Sequence, residues 1–415
     1  MEEFRKMSGQ LIVQKFGGSS VANTERLERV AGIIYTCAQK GNRVVAVVSA
    51  MGDTTDDLIE LANKINPDPP EREMDMLMST GEQISSALLA MAIAKKGHEA
   101  ISFTGPQVGI ITDEHHTTAK IRTIETKRLH KELNCGKIVV VTGFQGMTRN
   151  KDITTLGRGG SDLSAVALAV ALKADVCEIY TDVEGIYTAD PRIVPEAKKL
   201  KTIDFDEMLE LAARGAQVMQ TRAVEVAKKY NMPLHVRSSF VPKEGTIIMK
   251  QTNYIEQAVV RGVALTENEA KITITDVPDK PGIAAQIFNE LARRQVNIDM
   301  IVQNVGFDKL TDISFTVAKS SLQKGLKTVR DICNKMKAAQ VSFDEDIAKV
   351  SVAGVGMRAQ AGVAARCFSA LADAKINIDM ISTSEISISC VVKKEMGKRA
   401  LSVLHKEFGL DKIKA

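Results

Sequence analysis

A chain of 415 residues that is 44% hydrophobic and 26% charged has a globular balance, and its length exceeds one ordinary core, so two or more domains are expected. Lysine and arginine total 55 against 51 acids, and basic pairs such as Lys198-Lys199 and Lys228-Lys229 sit among acids in helical stretches, which argues against a polyanion-binding face and against nucleic acid as a partner. The longest apolar run, AVALAVAL at 165–172, is too short to span a bilayer, the first residues lack the apolar core of a signal peptide, and six cysteines stand far apart without a CxxC pair. No membrane and a reducing, cytoplasmic setting are therefore the expectations.

In chain order, the valine-rich runs LIVQKF (11–16) and RVVAVVS (43–49) flank a helical pattern over 23–40 that Asn23 is placed to cap. Strand, helix, strand at this spacing is a βαβ unit with parallel strands. The same grammar continues through helix 73–96, strand 99–103, helix 118–132, strand 137–142, helix 161–173 and strand 176–180, so one α/β domain is expected over 1–245. The stretch VPKEGTIIMKQTN then supplies Pro, Gly and a hairpin signal, and 246–264 reads as a linker. Beyond it, strand 270–275, helix 282–294, strands 297–303 and 311–318, helix 322–337 and strand 339–343 form one βαββαβ block over 265–345. A second block over 346–415 repeats the order with strand 348–353, helix 361–373, strands 376–382 and 386–392 and helix 394–406. Aligning 282–301 with 362–381 gives 11 identities in 20, and the word NIDMI recurs at 297–301 and 377–381, so the tail is a duplication. Its isoleucines, Met300 and Met380 are spaced to enter a core, while Asn297, Asp299, Asn377 and Asp379 are expected to face outward or cap a turn.

Three glycine-bearing loops follow strands of the first domain. In VQKFGGSSV (13–21), Lys15 ends a strand and Gly17 and Gly18 allow backbone amides to converge on an anion beside a helix start, although the spacing is neither GxxxxGK[ST] nor GxGxxG. In TTLGRGGSDLSA (154–165), Arg158 is enclosed by Gly157, Gly159 and Gly160, with Ser161 and Asp162 opening a long apolar helix; a guanidinium so freed suits a carboxylate or phosphate. IYTDVEGIYTADPR (179–192) adds Thr181, Asp182, Tyr187 and Arg192. Ligands bind at the carboxyl ends of parallel strands, and one lysine, two arginines and two phosphate-compatible turns there suggest phosphoryl transfer.

The ordered motifs KFGGSSV, VVSAMGDTTDDL, STGEQISS, LGRGGSD and TDVEGIYTADPR, with the duplicated tail, closely resemble the aspartate kinases of the amino-acid kinase fold family, in their monofunctional form. The resemblance implies a three-layer αβα sandwich with a mainly parallel sheet, followed by two ferredoxin-like ACT domains. It implies ATP-dependent phosphorylation of the L-aspartate side-chain carboxylate to 4-phospho-L-aspartate, the first step towards lysine, threonine and methionine. On the family's pattern Lys15 stabilises the transferring phosphoryl group, with Phe16, Gly17, Gly18 and Ser19 at the phosphate nest. Asp162 organises the reacting groups and Arg158 clamps the substrate. Ser49, Thr55, Glu82 and Ser161 bind aspartate, Glu82 facing its ammonium. Thr181, Asp182, Tyr187 and Arg192 belong to the nucleotide site. Mg²⁺ is expected between the ATP phosphates with no firm protein ligand.

The same resemblance makes the tail a feedback module for lysine, threonine or both. It points to Asp279, Gly282, Ile283, Ala284, Asn297, Ile298, Asp299 and Gln303 in the first unit and Val363, Ala364, Asn377, Ile378, Ser384 and Glu385 in the second. ACT units usually pair across chains, which implies a homo-oligomer, and Met249 permits an internally started regulatory subunit. A short strand near 257–263 is expected to complete the second unit. Gln217 stands where relatives often carry lysine, and Arg222 or Arg237 is a candidate to replace that charge. His115-His116 with Asp113 or Glu114 falls short of a metal site, and MDMLM at 74–78 reads as a packed helix face. The competing functions are an amino-acid kinase with another acceptor and a catalytically silent amino-acid sensor.

Overall fold

A computed structural model describes residues 9–215, 218–250, 259–305, 310–336 and 340–413. The first domain carries β1 (Leu11–Phe16), β2 (Arg43–Val48), β3 (Ala100–Phe103), β4 (Ile110–Thr112), β5 (Ile121–Ile124), β6 (Ile138–Thr142), β7 (Gln145–Met147), β8 (Ile153–Thr155), β9 (Val176–Thr181), β10 (Thr202–Ile203), β11 (Leu234–Ser238) and β12 (Thr246–Ile248). Eight of these form the main sheet in the order β10-β12-β11-β9-β1-β2-β6-β3, parallel at every junction except β11 with β12. The central strands are apolar on both faces because helices cover both. Leu11 and Val13 enter one core with the apolar helix Gly160–Leu172, and Phe16 enters the other with helices Thr24–Gln39 and Glu71–Lys95. Asn23 caps the first of these helices by accepting the Arg26 N–H at 2.9 Å.

The helix expected over 118–132 is corrected. Its first half is β5, an edge strand of a small sheet ordered β5-β4-β7-β8, and the helix runs only over Lys127–Asn134. The β-branched run IRTI is half-buried at its two isoleucines and exposed between them, a pattern that suits a two-faced edge strand. All six cysteines are free, and Cys177, Cys333, Cys367 and Cys390 are buried. Among the described residues, no helix is long and apolar enough to cross a membrane.

The tail contains β13 (Gly262–Thr266), β14 (Glu269–Pro278), β15 (Ile298–Val305), β16 (Leu310–Ala318), β17 (Gln340–Asp344), β18 (Ile347–Ala353), β19 (Met380–Thr383) and β20 (Ser387–Lys393). They form two four-stranded antiparallel sheets, β15-β16-β14-β17 and β13-β18-β20-β19. Because β13 precedes the first unit yet pairs with β18, the two units are interleaved. Helices Ile283–Arg293 and Val363–Asp373 each start from a left-handed glycine, Gly282 (φ 96°) and Gly362 (φ 92°), the same turn written twice.

The repeated word is an interface. Met300 and Met380 bury together with Ile347 and Val391, so the two copies pack on each other. Ile301 and Ile381 are 52% and 42% exposed, which corrects their expected place in a core. The aspartates diverge. Asp379 stays local, its carboxylate 3.4 Å from Asn377 Nδ2. Asp299 pairs with the wholly buried Lys349, which also meets Glu269, and lies 3.5 Å from Arg214 at the end of the first-domain helix Phe205–Ala213.

Candidate active site

The turn after β1 is shaped for an anion. Lys15 Nζ lies 2.6 Å from Asp162 Oδ1, both side chains nearly buried, with Asp162 in the first turn of helix Gly160–Leu172. A Cβ on Gly17 would come within 3.4 Å of Lys15 Nζ, and one on Gly18 would come 3.0 Å from Ala50 O and 3.1 Å from Gly52 O. Glycine is needed at the second position because the turns after β1 and β2 touch there, with the Gly52 N–H donating to Gly18 O at 3.1 Å. Backbone bonds from Ser49 N–H to Phe16 O (3.1 Å) and from Gly143 N–H to Val48 O (2.9 Å) extend the row to the turn after β6. The first Gly-rich turn and the one at 157–160 thus meet through Lys15 and Asp162, at the carboxyl ends of parallel strands.

A buried carboxylate backs the turn after β2. Glu82, 3% exposed on helix Glu71–Lys95, accepts the Ala50 N–H at 3.1 Å through Oε1, while its Oε2 has no hydrogen-bond partner. Burial pushes its pKa up to about 7, because a desolvated carboxylate favours the neutral form. A buried, unpartnered oxygen next to the Ser49–Gly52 turn awaits a donor or a cation. Ser49 is half-buried, and its carbonyl accepts the Ser85 hydroxyl at 2.7 Å. Thr55 is half-buried in the first turn of helix Thr54–Ile65. Ser161 is 5% exposed and packs on Gly143, where a Cβ would come 2.6 Å from its hydroxyl.

Other residues singled out in the sequence stand elsewhere. Arg158 lies between Gly157 (φ 82°) and Gly159 (φ 73°), and its side chain is 94% exposed, 3.8 Å from Asp56, so the guanidinium is directed outward in this state. Phe16 is fully buried and stacks on Tyr180 at 4.7 Å, so only its backbone borders the nest. Ser19 is exposed, its carbonyl accepting from Arg26 at 2.7 Å. Thr181 donates to Asp182 at 3.0 Å on the surface, Arg192 folds back on Asp190 at 2.7 Å, and Tyr187 packs against the core of the second tail unit. Arg222 donates to Leu156 O and Ala119 O, and Arg237 donates to Glu178 at 2.9 Å. Gln217 lies outside the described residues.

Several site residues escaped the sequence reading. Phe144 holds a left-handed φ of 69° beside Gly143 and donates its N–H to Ser164. Gln220 reaches both Gly-turn residues, its N–H 3.3 Å from Asp162 Oδ2 and its amide 2.9 Å from Arg158 O. Asp75, inside the supposed apolar face MDMLM, is wholly buried and accepts from His116 and Thr117. A charge on an otherwise apolar helix face, seven residues before Glu82, is the signal that could have found it. Among the described residues, no group of three metal-ligating side chains gathers.

In the tail, Asp279, Gly282, Ile283, Ala284 and Gln303 line one cavity of about 320 Å³. Val363, Ala364, Ser384 and Glu385 line the corresponding cavity of about 220 Å³. Both open at the start of a helix whose glycine N-cap leaves backbone N–H groups without a side-chain acceptor. Asn297, Ile298, Asn377 and Ile378 are outside the two linings, and Asp299 is engaged by Lys349, so these five effector assignments are not brought together with the cavities.

The amino acid kinase family matches residues 10–238, and ACT domains match residues 271–334 and 350–408. The aspartokinase of Mycolicibacterium smegmatis is 53% identical over 405 residues, 96% of each chain. E. coli aspartokinase III in complex with aspartate and ADP, its R-state, is similar in structure with a TM-score of 0.82 and 26% identity, over 96% of this chain and 99% of that one. The same enzyme with lysine and aspartate, its T-state, gives a TM-score of 0.75 at 26% identity over the same shares.

Proposed function

The chain belongs to the aspartokinase family, and from that premise we propose that it transfers the γ-phosphoryl group of ATP to the side-chain carboxylate of L-aspartate, releasing ADP and 4-phospho-L-aspartate. The observation that carries this reading is the pairing of two opposite poles on touching turns, the Lys15 ammonium beside Asp162 and the unpartnered oxygen of Glu82. An α-amino acid brings its ammonium to Glu82, and its side-chain carboxylate then faces the phosphoryl group that Lys15 holds.

The acceptor is already an anion at neutral pH, so a carboxylate oxygen attacks phosphorus as the bond to the leaving ADP oxygen breaks, and no general base is required. Asp162 holds Lys15 where negative charge accumulates on the equatorial oxygens of the transferring group. Gly17 keeps the space beside the Lys15 ammonium clear of a side chain, and Gly18 lets the turns after β1 and β2 approach closely. Mg²⁺ would enter with the nucleotide phosphates and supply charge neutralisation there. Glu82, neutral in the empty site below about pH 7, ionises against the substrate ammonium. Arg158 swings in from Asp56 to meet the substrate, a motion its flanking left-handed glycines permit.

The tail carries lysine-type feedback, and threonine is a second candidate effector. The two cavities support this: helix-start N–H groups suit an amino acid's carboxylate, and Asp279 or Glu385 suits its ammonium. An effector acts by favouring a state in which the kinase turns part, so binding and inhibition are linked. Pairing of ACT units across chains gives a homo-oligomer, and Met249 is a start site for a regulatory chain. The test is acyl-phosphate formation from ATP, Mg²⁺ and each of aspartate, glutamate and carbamate, trapped with hydroxylamine, with and without lysine and threonine. Hydroxamate from aspartate alone is expected. Hydroxamate from another acceptor instead, or from none, overturns the reading.

A further inference from the structure

We propose that Asp75 is a positioning residue for the acceptor pole, an inference that rests on the reading above and assigns work to a buried charge the mechanism has not used. The buried face of helix Glu71–Lys95 carries Asp75, Ser79, Glu82 and Ser85, at spacings of four, three and three that place them on one stripe. Together they grip three segments of the site. Ser85 donates to Ser49 O at 2.7 Å and Glu82 accepts from Ala50 N–H at 3.1 Å, fixing the turn after β2. Ser79 O accepts from Gln145 Nε2 at 2.9 Å, just past the turn after β6. Asp75 accepts from the Thr155 hydroxyl at 2.5 Å, the His116 ring at 2.7 Å and the Thr117 N–H at 3.0 and 3.1 Å.

Asp75 is wholly buried, and among the described residues no lysine or arginine pairs with it. A carboxylate in an apolar helix face is costly unless converging donors satisfy it, so its partners are held in one arrangement. Those partners are the approach to the Gly-rich turn. Thr155 ends β8, immediately before Leu156 and Gly157. The Ala119 N–H donates to Thr155 O at 2.9 Å, and a Cβ on Gly157 would come 3.3 Å from Thr117 O. Thr117 sits at φ 62°, a left-handed conformation that a threonine keeps only when its surroundings hold it. Asp75 therefore sets where Arg158 and Ser161 stand relative to Glu82, two helical turns away on the same helix, while the Gly17–Gly18 turn is held by its own backbone bonds to Gly52 and Tyr180 and meets this stretch where Lys15 pairs with Asp162.

The test compares Asp75→Asn, Thr155→Val and Thr155→Ser with the wild-type chain, measuring the KM for aspartate, the KM for ATP, kcat and the thermal transition. Misplacement of the acceptor turn is expected to raise the aspartate KM about tenfold or more in Asp75→Asn and Thr155→Val. The ATP KM should stay within about twofold, and the hydroxyl of Thr155→Ser should restore the aspartate KM. A general packing role predicts instead a lowered transition temperature, with both KM values unmoved or rising together; either pattern overturns the proposal. Should Asp75→Asn fail to fold, the valine and serine variants at Thr155 decide. A wild-type chain that makes no acyl phosphate defeats the function itself, whereas an active wild type with unshifted variants defeats this inference alone.

Discussion

The proposed acceptor site and the proposed nucleotide site are built differently. The acceptor side is held by buried contacts. Glu82 and Ser85 reach from one helix to the turn after β2, Ser79 to the start of β7 and Asp75 to the end of β8, through buried or part-buried contacts. On the nucleotide side, Thr181 and Asp182 bond to each other at the surface and Arg192, 87% exposed, turns back on Asp190. The hairpin bearing Tyr187 is tied to the tail rather than to the site, since Thr188 pairs with His405 at 2.9 Å and accepts the Val263 N–H at 2.8 Å. On the proposed acceptor side the buried contacts are fixed by the fold and Arg158 alone among its named residues stands outward; the proposed nucleotide side is exposed and is joined to the tail.

That contrast can be broken in order of expected effect. Lys15→Met removes the charge that meets the transferring group and should lower kcat by about 10²–10³, with the aspartate KM little changed; steady-state kinetics with both substrates varied would show it. Glu82→Gln should raise the aspartate KM about tenfold or more. The wild-type dependence has a definite sign: Glu82 holds a proton below about pH 7 and must lose it to meet an ammonium, so kcat/KM for aspartate should climb as pH rises through about 7 and flatten in the variant. Arg192→Ala should shift the ATP KM by about threefold at most, because that side chain is already paired and solvated.

The smallest effect concerns the link to the tail. Burial holds the His405 pKa below the ordinary 6.5, so its neutral form belongs to the folded state. Its contribution is full above 6.5 and is lost as pH falls, because the unfolded chain then binds a proton that the native chain refuses. His405→Gln should flatten the acid side of the thermal stability curve by about a few degrees, measured by calorimetry between pH 5 and 8.

Much of this was legible in the sequence where a local rule and the tertiary need coincide. Asn23 is a good cap in any context, and the pair Gly17-Gly18 announces a tight turn, whose second glycine lies against the Ala50 carbonyl. The duplication at an offset of 80 forecast two copies of one unit, each helix starting at a left-handed glycine. What was not legible depends on partners far away in the chain. β5 read as helix because its pairing with β4 is invisible locally. Asp75 was hidden among methionines, since only the approach of residues 116, 117 and 155 gives it a purpose. Asp299 and Asp379 occupy the same place in the same five-residue word, yet Lys349 and Arg214 stand beside only the first of them.

The division of labour between the poles is tested most directly by calorimetric binding of aspartate, without ATP, to the wild-type chain, Lys15→Met and Glu82→Gln at pH 8. Lys15→Met should bind aspartate within about twofold of the wild type, while Glu82→Gln should weaken binding about tenfold or more. Aspartate affinity that collapses in Lys15→Met and survives in Glu82→Gln would contradict the account.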